Sequence, residues 1–155
     1  MKKVSFMNRI FSNNCMDAAI YKYMKIYLKC SRYKKNSFVY RILKIRLNRI
    51  GFKLGFEIEP GILDDSTIIY HQNIVVNSYA VIGKNVKFHG NNCIGNNGKD
   101  LGAPKIGNNV DIGFGAVIIG DVLIADDCII GANTIVTKSF LEPGTVIVGN
   151  PGRSI

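Results

Sequence analysis

The chain has 155 residues, with 20 Lys or Arg against 11 Asp or Glu, two histidines, four cysteines and no Trp. That length suits one domain plus an appendage, and no apolar run approaches the roughly 20 residues needed to span a bilayer. The cysteines (Cys15, Cys30, Cys93, Cys128) show no CxxC spacing and read as free buried thiols rather than disulfides or a metal site. The first thirty residues lack the unbroken apolar core and small-residue cleavage site of a secretory signal, so the expected location is the cytoplasm.

The charge is unevenly placed. Residues 1–55 carry fourteen basic residues against one acid, Asp17, a balance of +13, whereas residues 56–155 carry six basic and ten acidic residues, a balance of −4. Two physically different modules are expected to meet near Gly51–Gly55: a basic amphipathic helical segment over 1–55 and a β-rich domain over 56–155.

In the first module, Ile20, Met24, Tyr27 and Leu28 recur at helical spacing between Asn14 and about Cys30. The run SRYKKN is a polar break. A second helix is predicted from Ser37, its N-cap, to Ile50, with Phe38, Ile42, Ile45 and Val39, Leu43, Ile50 on overlapping apolar faces and Gly51 as its stop. Three uses fit such helices: capping or packing on the second module, attachment of residues 1–50 to an anionic membrane surface at the inner membrane face, and nucleic-acid binding. The last is disfavoured, because no recognisable nucleic-acid module accompanies the charge.

The second module keeps a period of six. From Ile106 an aliphatic residue returns at Ile112, Ile118, Ile124, Ile130 and Val136, and four places after each comes a second small or apolar residue, as at Val110, Ala116, Val122, Cys128, Thr134 and Phe140. Counting back, Ile94, Phe88, Ile82, Val76 and Tyr70 hold the first slot, and Val86, Ala80, Ile74, Ile68 and Ile62 the second. Fixed short-period self-similarity marks a solenoid whose units bury their apolar faces only by stacking. A hexad supplies one short strand and a corner, so three hexads close one triangular coil: a parallel β-helix. Asp100 and Pro104 break the pattern inside NNGKDLGAPK, which predicts a loop over 97–104 pushed out of the coil. Asp64, beside Asp65 and Ser66, breaks it near the first turn.

The two histidines, His71 and His89, lie three hexads apart, one coil by this count. Strands in neighbouring coils sit about 4.8 Å apart, so the two imidazoles are predicted to stack on one corner. An imidazole titrating near neutrality can serve as the general base that activates an alcohol, and a carboxylate behind it would fix its tautomer. Glu57, Glu59, Asp64 and Asp65 are candidates on the preceding coil. No third His or Cys shares the column, so no metal is expected.

The hexads together with IIYHQNIVVNSYAVIGKNV, FHGNNCIGNNG, APKIGNNVDIGFGAVIIGD, IIGANTIVTKSF and VIVGNPGR resemble the hexapeptide-repeat acyltransferases. The closer resemblance, over about residues 56–153, is to the serine-acetyltransferase branch that includes colanic-acid and capsular-polysaccharide O-acetyltransferases. It implies a left-handed parallel β-helix, a homotrimer with sites between subunits, and acetyl-CoA as donor. It further implies His71 as the catalytic base, Glu57 as the carboxylate that orients it, and His89 as a second histidine of the site. Asn96, Asn97, Phe114 and Ala132 fall where the family's main chain lines the pantetheine arm, and Lys138 resembles the lysine that meets the phosphate end of coenzyme A. Tyr70 stands where serine acetyltransferases carry Asp, and Gly102 and Ala103 where they carry an Arg-His pair. Those departures remove charged partners for an amino acid, so the expected function is O-acetylation of a saccharide hydroxyl in bacterial surface-polysaccharide synthesis. The alternatives are serine O-acetyltransferase and a non-catalytic scaffold.

Overall fold

The computed structural model describes residues 15–99 and 101–155; Asn14 and Asp100, used in the sequence reading, lie outside the described residues. Two helices come first, α1 (Cys15–Ser31) and α2 (Phe38–Leu54). Ser37 caps α2, its hydroxyl accepting from the Tyr40 N–H at 3.2 Å. The helix does not stop at Gly51. It runs to Leu54 and ends on Gly55, in the left-handed region at φ 66°. Gly51 is buried inside the last turn because neighbours crowd it: a Cβ there would sit 3.0 Å from the Phe56 carbonyl oxygen and 3.3 Å from the Tyr23 ring. The expected apolar face is also corrected. Tyr40, Leu43, Leu47, Gly51 and Leu54 turn inward, while Phe38, Ile42 and Ile45 face away from the coil and stay exposed.

The strands form three parallel sheets, one per face of the coil. The first face stacks β1 (Phe56–Ile58), β3 (Ile74–Val76), β6 (Asn92–Gly95), β9 (Val117–Ile119) and β12 (Ile135–Val136). The second stacks β4 (Val81–Ile82), β7 (Lys105–Ile106) and β10 (Leu123–Ile124). The third stacks β2 (Ile68–Ile69), β5 (Lys87–Phe88), β8 (Asp111–Ile112), β11 (Ile129–Ile130) and β13 (Val146–Val148), with β14 (Arg153–Ser154) antiparallel at its edge. Ile94, Ile112, Ile118 and Val136 are wholly buried, as are the second-slot residues Val110, Ala116 and Cys128. Corners turn through stacked residues of positive φ, mostly Asn, whose short amides bond along the column; Asn73 Nδ2 donates to Asn91 Oδ1 at 2.8 Å.

Register departs from three hexads per coil in two places that matter. Val81 pairs with Lys105 and Cys93 with Val117, a step of four hexads that leaves one hexad outside the coil. This is the expected excursion, shortened at its end: Ala103 and Pro104 are buried again, and the Pro104 carbonyl accepts from Val81 N–H. The second departure was not expected. Ile74 pairs with Asn92 at the regular three hexads, but Ile69 pairs with Phe88, one position further along the chain than that rule allows. The first coil therefore places four residues, Tyr70–Asn73, at a corner where the next coil places three, His89–Asn91. Upstream of that extra residue the inward phase moves by one. Ile69, Thr67 and Leu63 are buried, and Tyr70, Ile68 and Ile62 are not the inward residues the sequence count made them.

The helices and the coil share one interior. Ile20, Tyr23, Tyr27, Leu47 and Leu54 belong to the same apolar cluster that continues through Phe88 and Ile118 to Ile147. Tyr27 pins the seam: its hydroxyl donates to the Glu59 carbonyl at 2.8 Å and accepts from the Ile62 and Leu63 N–H groups at 3.0 and 2.9 Å.

Candidate active site

The extra corner residue decides where the two imidazoles go. Their predicted stack is corrected: His89 lies against Tyr70, ring centroids 4.7 Å apart and tilted by 34°. His71 sits one place round the corner, against Gly90. A Cβ on Gly90 would come 2.6 Å from His71 Cβ, and Gly90 holds φ +109°, so the corner admits glycine alone. The His71 ring is exposed and meets the edge of Phe114 at 6.3 Å. Together with Gln72, Asn73 and Asn91 they line a cleft of about 250 Å³.

The carboxylate beside an imidazole is not the one expected. Glu57 lies on β1 in register with Val75 and lines a separate cleft of about 660 Å³, with Lys44, Phe52, Cys93, Gly95, Asn96 and others. Within one chain, Glu57 and His71 thus face different clefts. The imidazole that has a carboxylate is His89, whose Nε2 lies 2.8 Å from Asp111 Oδ1; Lys87 Nζ takes the other oxygen at 3.1 Å. An Nε2–H donated to Asp111 leaves Nδ1 as the acceptor. Asp111 escaped the sequence reading because it stands nearly four hexads past His89, and only the excursion and the Lys87–Asp111 register bring them side by side.

Asn92 was also missed. It is 2% exposed, accepts from Gly90 N–H at 2.9 Å, and donates to the Gly113 and Ala116 carbonyls at 2.8 and 3.3 Å. Its signal was available, as a polar residue four places after Phe88 where an inward apolar residue belongs.

The residues expected to hold a coenzyme fall into two groups. Phe114 lies against His71, and Ala132 is exposed one coil beyond it, where Asn133 N–H bonds the Phe114 carbonyl. Asn96 lines the larger cleft at the far end of β6, and Asn97 is exposed at the start of the excursion. Carrying the ladder past Gly95–Ile119 and Ile118–Val136 puts Lys138 two coils beyond Asn96 at that same corner. Lys138 is exposed, its Nζ 5.4 Å from the centre of the Phe140 ring. Burial pushes the Cys93 thiol above its ordinary value, so it stays protonated and is a poor nucleophile at neutral pH.

Comparison with known proteins agrees with this coil. Residues 103–138 match the family model described as bacterial transferase hexapeptide (six repeats). The chain is 40% identical over 106 residues to serine acetyltransferase 3, mitochondrial, of Arabidopsis thaliana, covering 67% of this chain and 26% of that protein. It is 34% identical over 127 residues to serine acetyltransferase of Staphylococcus epidermidis, covering 79% and 58%. The solved structure of the soybean serine acetyltransferase apoenzyme superposes with a TM-score of 0.72 at 26% identity, over 96% of this chain and 65% of that one. The chain therefore spans less than two thirds of the length of each.

These relatives overturn the saccharide acceptor and favour the serine alternative. The saccharide expectation rested on neutral residues at Tyr70, Gly102 and Ala103. Charges of both signs nevertheless lie on the adjacent face, at Lys87 and Asp111, where only strand register reveals them. Residues 103–138 thus match the bacterial transferase hexapeptide repeat, and the chain is similar to serine acetyltransferases over two thirds or more of its own length.

Proposed function

We propose that this chain is an acetyl-CoA-dependent serine O-acetyltransferase. The observation that carries the reading is the match to a serine acetyltransferase over 79% of the chain at 34% identity, joined to an exposed histidine on a glycine-crowded corner. The donor supplies an activated acetyl group as a thioester. His71 takes the proton from the serine hydroxyl as its oxygen attacks the acetyl carbonyl. The new C–O bond forms, the C–S bond breaks, and the proton passes from the imidazole to the departing sulfur. Such base assistance is worth about 10²–10⁴ in rate. Phe114 offers an apolar wall beside the imidazole, continued by Ala132 one coil on, while Asn96, Asn97 and Lys138 form a polar and cationic corner suited to the amide and phosphate parts of the donor.

Serine brings an ammonium and a carboxylate. Asp111 and Lys87 carry the complementary charges on the third face, in the column of Ile68 three positions before His71, with His89 held between Tyr70 and Asp111. A left-handed coil assembled as a trimer is part of the same reading. Glu57 and Asn96 face one cleft and His71 another, so a subunit seam is what would unite them.

Coenzyme A release with L-serine as acceptor tests the proposal. His71→Ala is expected to lower kcat about 10²–10⁴-fold, and Asp111→Asn to raise KM for serine with a smaller change in kcat. Turnover by His71→Ala at the wild-type rate would sink the assignment of the base. Absence of any serine-dependent thiol release by the wild type would sink the acceptor.

A further inference from the structure

The helix face that the coil leaves unused has a chemistry of its own. On α2, Phe38, Ile42 and Ile45 follow one another at intervals of four and three positions, a single stripe at helical pitch. They are 77%, 39% and 55% exposed. The stripe lies opposite Tyr40 and Leu43, which pack with Cys30 and Ile26 of α1, and Leu47 and Leu54, which join the core of the coil. Arg49 lies on the stripe itself, flanked by Arg41, Arg46 and Lys53, all exposed. There is no acid anywhere in the helix. The hairpin partner α1 adds an exposed row of Lys22, Lys25 and Lys29.

We infer that this face docks on an anionic lipid bilayer, with the apolar stripe in the headgroup boundary and the arginines on lipid phosphates. Charge decides the occupant. A second copy of the same face would set Arg41, Arg46, Arg49 and Lys53 against their own kind, whereas an anionic surface offers each cation a partner. Apolar residues standing among cations are the composition that a charged interface accepts and that plain solvent disfavours. The described helices are not long and apolar enough to cross a membrane, so the mode is peripheral, with the helix axis in the surface plane. Lys44 is not part of the surface, being held by Glu59 at 2.6 Å. The inference is independent of which acceptor the coil acetylates.

The test is co-sedimentation of the full chain with phosphatidylcholine vesicles, with and without phosphatidylglycerol, at low and high salt. Binding to the anionic vesicles at low salt, reversed by high salt as the charges are screened, is the expected result. Phe38→Ser/Ile45→Ser and Arg46→Glu/Arg49→Glu are each expected to weaken it about tenfold or more. Both pairs are exposed, so helicity by circular dichroism and particle mass by ultracentrifugation should match the wild type. Failure of the wild type to sediment with anionic vesicles would overturn the proposal, as would undiminished sedimentation of both variants. A smaller particle mass in the variants with vesicle binding unchanged would mean the face is a subunit contact, and would overturn it equally.

Discussion

Asn92 does at one corner what most hexads leave to apolar packing. With almost no exposure, its amide spends its capacity on three backbone groups of two coils. Removing it strands the Gly90 N–H away from water, while the Gly113 and Ala116 carbonyls keep the N–H groups of Ala116 and Cys93, and a buried unsatisfied group costs about 1–3 kcal/mol. Asn92→Ala is therefore expected to destabilise the fold by about 1–3 kcal/mol, measured by urea unfolding. The loss should not be confined to stability. Gly90 is the floor on which His71 rests, so the same variant should lower kcat in the folded fraction. Unchanged stability would show that the amide's bonds are replaced by water. Neither effect can be read from Asn92 as a letter, because its partners are fixed only when coils stack.

At the scale of elements, the joint between α2 and the coil is electrostatic as well as apolar. Glu59 accepts from Tyr40 Oη at 3.0 Å and from Lys44 Nζ at 2.6 Å, with Lys35 at 3.5 Å. Burial disfavours its charged form, but the bonds from Lys44 and Tyr40 and the charges of Lys44 and Lys35 outweigh that, and the carboxyl titrates below its ordinary 4.5. Burial first, and then Glu59, push the Tyr40 hydroxyl up to about 12, so it remains a donor at neutral pH. The sign follows from linkage: a depressed carboxyl contributes stability above its unfolded value, and that contribution disappears as pH falls through the folded value. Glu59→Gln is expected to lower Tm at pH 7 and to approach the wild-type Tm as pH drops below about 4. A constant gap across that range would show that the charge does not contribute. By sequence Glu59 is only one of four candidate carboxylates for His71. Its true partners lie on a helix 15 and 19 residues earlier, and helix packing alone chooses them.

Over the whole molecule, a solenoid would ordinarily be free to melt unit by unit, since each repeat touches only its neighbours. Here the apolar cluster runs without interruption from Ile20 in α1 to Ile147 in the last parallel strand, and the helices close the end where β1 would otherwise lie bare. One cooperative transition is expected. Ellipticity at the helical band and tyrosine emission should give the same midpoint in urea, with Tyr23 and Tyr27 reporting the helix–coil seam. Two separated midpoints would show the helices to be a detachable cap.

The architecture was legible in the letters alone: the six-residue beat, the excursion near residue 100, the capping of α2 by Ser37, and the likeness to hexapeptide-repeat transferases. Those features are periodic or local, and a side chain's need to be inside a coil is written at every hexad. The wiring of the site emerges only once the coils are stacked. One additional residue in the Tyr70–Asn73 corner moves His89 from His71 to Tyr70, and the excursion brings Asp111 to His89. Corner length leaves no trace in composition or hydropathy, because a residue that bulges at a turn looks like any other polar letter until the neighbouring strand fixes what it stands beside.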